Sequence, residues 1–192
     1  MSRSIITATL LSTLTLASSA HAGAFALNFA GSLTNTDPVF NRPAVPGDVL
    51  SGIGTAVAYD TYQFIANPAG PYVVQANYSG TLTDGYLLLY RPSFNPASSL
   101  VNLQAGNDDG SGFSDSVLPD ASSAGADFGP ETAGTTLNLT PGGLYTIVVT
   151  GFNNQNFGDY TIGVTGGSLV PEPTTLAVLS GAAILLLKRR KA

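Results

Sequence analysis

Short stretches in which apolar and polar residues alternate recur through the middle of this sequence, and they constrain its fold most strongly. In the clearest stretch, 72–79, the apolar residues Tyr72, Val74, Ala76 and Tyr78 occupy every second position. Successive side chains of a β-strand point to opposite faces, so this pattern predicts a strand with one buried face. Further strands are predicted at 61–64, 101–105, 137–139, 144–150 and 160–164.

One further stretch is apolar almost throughout. Residues 86–90 follow one another without a polar interruption, so 85–91 is predicted to be a central strand covered on both faces. No segment of the body, residues 23–168, has the 3.6-residue period of an amphipathic helix. The body is therefore predicted to be a single all-β domain, an antiparallel β-sandwich or jelly roll. Turn-forming residues separate its strands at 67–70, 84–85, 109–110 and 153–156.

The first 22 residues have the order of a secretory signal. A positive charge at Arg3 precedes a largely apolar run, 5–16, and the small residues Ala20 and Ala22 follow it. This order predicts that residues 1–22 are a signal helix, that signal peptidase cuts after Ala22 and that the protein is exported. The alternative interpretation is a buried N-terminal helix.

The C-terminal segment, 169–192, combines three elements. They are the motif Pro171, Glu172 and Pro173, the uncharged run 174–187, and the basic residues Lys188, Arg189, Arg190 and Lys191. A helix of fourteen residues is about 21 Å long, which is shorter than the ~30 Å hydrocarbon core of a bilayer. Because flanking basic side chains can reach the interface and the bilayer can thin, 174–187 is predicted to be a transmembrane helix. The basic end predicts a cytoplasmic C-terminus, with the body on the other side.

This segment resembles the PEP-CTERM sorting signal of Gram-negative bacteria that produce exopolysaccharide. The resemblance lies in the motif 171–173, the apolar run and the terminal basic cluster, which occur in that order at the C-terminus. It implies that an exosortase-type transpeptidase cuts near the motif and removes the helix. The protein would then stay in the inner membrane transiently before it reaches the cell surface or extracellular matrix. The alternative is a membrane anchor that is never cut.

The body is strongly acidic and lacks the residues of a nucleophilic active site. Residues 23–168 contain eleven Asp or Glu and no Lys, with only Arg42 and Arg91 as positive charges, so their formal net charge is −9. Such a domain has no basic patch for nucleic acid. The single histidine, His21, lies in the predicted signal, and the chain has no Cys. These absences exclude Ser–His and Cys–His sites, and we predict that the protein is not an enzyme. A glycosidase, which needs only two carboxylates, stays open as an alternative.

The body also resembles the bacterial pre-peptidase C-terminal domain over about residues 58–165. The matching stretches, in order, are 59–64, 84–90, 107–112, 139–151 and 158–162. The resemblance implies a small β-sandwich without catalysis, in a family whose members often accompany secreted enzymes and sometimes bind calcium or polymers. The sequence departs from that family in a longer insertion at 113–132 and in the absence of an accompanying catalytic domain.

Oxygen-bearing side chains are concentrated in a glycine-rich loop that follows the predicted strand 101–105. The candidate metal ligands are Asn107, Asp108, Asp109 and Asp115, and further acids that could approach them are Asp84, Asp120 and Asp127. Calcium takes about six to eight oxygen ligands, often from flexible loops, although this spacing does not match an EF-hand. A structural calcium ion is therefore the one cofactor candidate. The alternative is that these side chains only stabilise turns.

These patterns together predict a non-enzymatic exported protein of the cell surface or exopolysaccharide matrix. Its expected partners are signal peptidase, an exosortase-type transpeptidase, the inner membrane in passing, and exopolysaccharide. A carbohydrate- or calcium-binding adhesin is the alternative function. In that alternative, one of the eight tyrosines of the body would form an exposed platform for a sugar.

Overall fold

The computed structural model describes residues 25–44, 47–67, 70–119, 132–133 and 136–167. The predicted signal, 1–22, and the sorting segment, 169–192, lie outside the described residues, as do Asp120 and Asp127. The described part forms eleven strands and a short 3₁₀ turn at Pro96–Ser98. The strands are β1 (Phe25–Leu33), β2 (Val39–Phe40), β3 (Val57–Ile65), β4 (Pro71–Ser79), β5 (Gly85–Tyr90), β6 (Leu103–Asn107), β7 (Asp115–Leu118), β8 (Thr132–Ala133), β9 (Thr136–Asn138), β10 (Leu144–Gly151) and β11 (Gly158–Gly166).

The strands form two antiparallel sheets. Sheet I has the order β1-β11-β4-β9-β8, and β7 also pairs with β4. Sheet II has the order β2-β3-β10-β5-β6. The prediction of an all-β antiparallel domain is confirmed for the described residues, and two such sheets are consistent with a β-sandwich.

The main hydrophobic core contains alternate side chains from both sheets. Sheet I contributes Tyr72, Val74, Ala76, Tyr160, Ile162 and Val164, whereas sheet II contributes Phe64, Leu87, Leu89, Tyr145, Ile147 and Val149. The alternation predicted for 72–79 is confirmed, because its apolar residues are the buried ones. The next residues along each strand point away from this core, as the period of two requires.

A second, smaller cluster covers the other face of sheet II. Tyr86, Leu88 and Tyr90 of β5 are buried there together with Phe40 and Val148. The remaining members are Val57, Tyr59, Phe94, Leu103 and Phe152. All six residues of β5 are therefore buried, which confirms the predicted strand covered on both faces.

The strand predicted at 101–105 begins two residues later in the structure. β6 begins at Leu103, whereas the alternation predicted a strand from 101. Val101 is 56% exposed and the next residue, Asn102, has a φ of 67°. A residue in the left-handed region interrupts an extended strand, so the chain enters sheet II only after this turn.

Candidate metal centre

The pairing of β5 with β6 brings acidic residues that are distant in sequence together where these two strands of sheet II begin and end. The two strands are antiparallel, with Leu87 opposite Asn107, so the start of β5 lies beside the end of β6. Asp84 immediately precedes β5, and Asp108 and Asp109 immediately follow β6. The hairpin therefore places these three carboxylates together although they are separated in sequence.

The spacing of the three carboxylates fits a single metal ion. Asp84, Asp108 and Asp109 each offer one oxygen, and these oxygens all lie within 4.8 Å of one another. Calcium–oxygen distances are about 2.3–2.6 Å, so two ligands on opposite sides of one ion are about 5 Å apart. All three side chains are partly buried. Three oxygen donors of this kind favour a hard cation such as calcium over zinc or copper.

Several oxygens at this edge are buried without a hydrogen-bond partner. They are Oδ1 of Asp108, Oδ1 of Asp109 and Oδ1 of the neighbouring Asn107. An unsatisfied buried polar group destabilises a fold by about 1–3 kcal/mol, and by more when it is charged. Two of the three orphaned atoms belong to the carboxylate cluster itself. A bound cation would supply the missing interaction for both.

The hydrogen bonds of this loop explain why its backbone is fixed. The side-chain nitrogen of Asn107 donates to the carbonyl oxygen of Val117, and Ser116 Oγ donates to the carbonyl oxygen of Asp108 at 2.6 Å. The hydroxyl of Tyr78 in turn donates to Ser116 Oγ at 2.8 Å. Because Val117 and Ser116 belong to β7, these bonds join the end of β6 to sheet I. The loop that carries Asp108 and Asp109 is thus tied to sheet I by hydrogen bonds.

Burial and mutual repulsion disfavour the charged form of all three acids. Burial raises the pKa of Asp108 to about 7, and the neighbouring carboxylates of Asp109 and Asp84 add to this effect. Burial, followed by repulsion from Asp109, raises the pKa of Asp84. Burial, followed by repulsion from Asp115, raises the pKa of Asp109. Such a cluster is stabilised either by protons or by a cation.

Arg42 is the positively charged residue that acts on the cluster. Its attraction opposes the upward shift in the pKa of both Asp84 and Asp108. The guanidinium is buried and donates to the carbonyl oxygens of Phe152 at 2.9 Å and Pro43 at 3.0 Å. It also lies 4.1 Å from the centre of the Tyr86 ring. The pKa values of Asp84 and Asp108 stay raised despite this attraction, so Arg42 compensates the acids only in part.

Asp115, one of the predicted ligands, is not part of the cluster of Asp84, Asp108 and Asp109. Its carboxylate accepts hydrogen bonds of 3.1 Å from Ser111 N, Ser111 Oγ and Gly112 N, so it closes the turn before β7. The structure therefore brings Asp108 and Asp109 together with Asp84, while Asp115 supports the adjoining loop. Sequence reasoning did not single out Arg42, because a lone arginine in a loop has no pattern.

The tyrosines leave little room for an exposed sugar platform. Six of the eight are buried: Tyr72, Tyr78, Tyr86, Tyr90, Tyr145 and Tyr160. Tyr59 and Tyr62 are only partly buried, and each packs against a phenylalanine ring. Stacking of a sugar on a tyrosine is therefore restricted to the exposed parts of these two rings.

No protein-family model and no curated protein matches this chain. The resemblances to the PEP-CTERM signal and to the pre-peptidase C-terminal domain therefore rest on the sequence motifs alone. Among the residues that the structure describes, no helix has the length and apolar character needed to cross a membrane.

Proposed function

We propose that this chain is a non-enzymatic exported protein of the cell surface or exopolysaccharide matrix of a Gram-negative bacterium. In this proposal a jelly-roll-like β-sandwich is made with a signal helix and a C-terminal transmembrane helix. Signal peptidase removes residues 1–22, and an exosortase-type transpeptidase cuts near the motif 171–173. The order of basic, apolar and small residues at the two ends of the sequence supports this route.

We further propose that the sandwich binds calcium through Asp84, Asp108 and Asp109. The observation that carries this proposal is the convergence of three carboxylate oxygens within 4.8 Å, on side chains of which two also carry a buried oxygen without a hydrogen-bond partner. Calcium would offset the burial and the repulsion that raise the pKa of these groups, and water or carbonyl oxygens would complete its coordination. The ion would have a structural role, since it joins the start of β5 to the loop after β6.

Calcium binding is tested by thermal unfolding of the purified full-length chain. Extracellular calcium sites have dissociation constants of about 0.1–1 mM, so 10 mM calcium stabilises the native state by about 1.4–2.7 kcal/mol. The expected increase in melting temperature over EDTA is about 4–10 °C. Luminescence of added terbium, excited through nearby tyrosines, reports direct binding.

Matched variants separate this site from general charge effects. Asp108→Asn removes a proposed ligand and is expected to abolish the calcium-dependent increase. Asp159→Asn removes the same charge from an exposed position on β11 and is expected to retain it. An unchanged melting temperature in 10 mM calcium, or an equal response in both variants, would contradict the proposed site.

Export and sorting are tested separately by mass spectrometry of the protein recovered from its producing cells. The expected mature chain begins at Gly23 and ends near Pro171. A chain that still begins at Met1 would contradict the signal, and one that still ends at Ala192 would contradict the sorting step.

A further inference from the structure

A groove of about 510 Å³ crosses the outer face of sheet I. It is lined by side chains from three neighbouring strands: Asn28 of β1, Gln75 and Asn77 of β4, and Thr161 of β11. Gly163 of β11 also lines it. The volume lies within the range of about 300–1,000 Å³ that is usual for ligand sites.

Gly163 creates the groove because it lacks a side chain where both neighbours have one. In the sheet register, Gly163 lies directly between Asn28 and Gln75. A Cβ atom built there would have Asn28 Oδ1 at 3.8 Å as its nearest neighbour, which is an ordinary contact. The φ of Gly163 lies outside the left-handed region, so its backbone also accepts other residues. A glycine inside a strand lowers stability, and such a glycine marks a bulge, a tight bend, or the close approach of a ligand or another backbone.

The groove offers neutral hydrogen-bonding groups. Side-chain amides both donate and accept, and a threonine hydroxyl does the same. The Nε2 of Gln75 lies 3.3 Å from Oδ1 of Asn77, which orients the two amides on neighbouring positions of the same face. Strands are about 4.8 Å apart, so Asn28 and Gln75 are separated by about 10 Å across the central gap. Donors and acceptors therefore line both sides of the groove.

Charge and backbone pairing restrict what can bind there. Among the described residues, no charged side chain lines the groove, and the net charge of −9 on residues 23–168 repels polyanions. β11 lies between β1 and β4, and β4 lies between β11 and β7 or β9. Neither central strand has a free edge to which a peptide could add as a further strand. A neutral ligand rich in hydroxyl groups fits these constraints.

We propose that this groove binds a neutral polysaccharide chain, whose hydroxyl groups bond to Asn28, Gln75, Asn77 and Thr161 and whose backbone passes over Gly163. This inference rests on the proposed function, because it names a binding partner for a matrix protein. The groove shares no residue with the cluster of Asp84, Asp108 and Asp109. Its occupation therefore does not depend on calcium.

Filling the gap is the sharpest test. We expect Gly163→Ile in the full-length chain to weaken polysaccharide binding at least tenfold, because the new side chain fills the gap between Asn28 and Gln75. The same variant is expected to melt at an equal or higher temperature, since a β-branched residue replaces glycine in a strand. Thr165→Ile is the matched control: it lies on the same face of β11 but does not line the groove, and should retain binding.

Loss of one hydrogen-bonding side chain should have a smaller effect. Asn28→Ala and Gln75→Ala are each expected to weaken binding about fivefold. The probes are dextran, xylan and glucomannan as neutral polymers, alginate as an anionic polymer and gelatin as a polypeptide. Binding is measured by affinity electrophoresis and by calorimetry, with calcium and with EDTA.

The outcomes separate this inference from the proposed function. Binding to a neutral polymer that Gly163→Ile removes and EDTA leaves unchanged supports the groove. Absence of binding to all three neutral polymers, preference for alginate or gelatin, or full binding by Gly163→Ile overturns it. None of these results changes the calcium-dependent melting of the same samples or the processed ends of the chain. Those measurements decide the proposed function on their own.

Discussion

The hydroxyl oxygen of Tyr160 lies 2.5 Å from Oδ2 of Asp60, and this bond joins the two sheets of the domain. Tyr160 belongs to β11 of sheet I, and Asp60 belongs to β3 of sheet II. The hydroxyl of Tyr62 lies 2.9 Å from that of Tyr160 and 3.2 Å from the carbonyl oxygen of Ala30. A short hydroxyl–carboxylate bond is among the stronger hydrogen bonds in proteins.

Removal of this hydroxyl should weaken the contact between the sheets. We expect Tyr160→Phe to lower the free energy of unfolding by about 1–2 kcal/mol, because a partly buried hydrogen bond to a carboxyl group is lost. Urea unfolding measures the change. Tyr59→Phe is the control, since the hydroxyl of Tyr59 has no hydrogen bond to another described residue. A difference below about 0.3 kcal/mol between the two variants would contradict this role.

The acidic cluster predicts an unusual dependence of stability on pH. The pKa of Asp108 is raised to about 7, above that of an unfolded chain, and the pKa values of Asp84 and Asp109 are raised as well. The native state therefore binds more protons than the unfolded state between about pH 4 and pH 7, and stability falls as pH rises through this window. After discounting for partial exposure, we expect Asp108 to contribute about 1–2 kcal/mol to this fall.

Urea unfolding in EDTA between pH 4 and pH 8 measures this effect. Asp108→Asn should flatten the curve, and calcium should restore stability most strongly at pH 8, where the carboxylates are ionised. Stability that rises from pH 4 to pH 8 in EDTA, with a slope unchanged by Asp108→Asn, would show that the cluster is not protonated in this way.

The turn before β7 depends on Asp115. Its buried carboxylate accepts three hydrogen bonds from Ser111 and Gly112, so Asp115→Ala should destabilise the domain by about 2–3 kcal/mol. Asp115→Asn keeps one acceptor oxygen and should lose about half as much. The melting temperatures of both variants test this order, and equal losses would argue against it.

Gly85 is required by close packing at the start of β5. A Cβ atom at this position would overlap the ring of Tyr78, which is held in place by its bond to Ser116. We expect Gly85→Ala to lower the free energy of unfolding by about 1–3 kcal/mol. Gly112→Ala is the control, because its Cβ would meet open space, and should change stability by less than about 0.5 kcal/mol. Equal unfolding curves for the two variants would refute the overlap.

The strands that sequence patterns predict well have large apolar side chains at every second position. In the second half of β4, buried Val74, Ala76 and Tyr78 alternate with the polar residues of 75–79, so local residues alone define the buried face. β1 is harder to recognise, because Ala26 and Ala30 occupy its exposed positions and blur the contrast. β7 is a strand of only four residues, and its pairing with β4 depends on a partner that no local pattern reveals.

Only part of the candidate metal site can be predicted from the sequence. Asp108 and Asp109 stand out because they lie together in a glycine-rich loop. The closeness of Asp84 depends on the register of β5 against β6, which the alternation does not determine. Arg42 could not be anticipated, since it donates to the carbonyl group of Phe152, 110 residues further along the chain.

The pairing of β1 with β11 affects when the domain can fold. Phe25 lies opposite Gly166, so the first described strand finds its neighbour only after the last one has been synthesised. Contacts this distant in sequence form slowly. If the proposed export begins during synthesis, the nascent chain would still lack a completed sheet I. The order of its strands would then help to keep the polypeptide incompletely folded until translocation is finished.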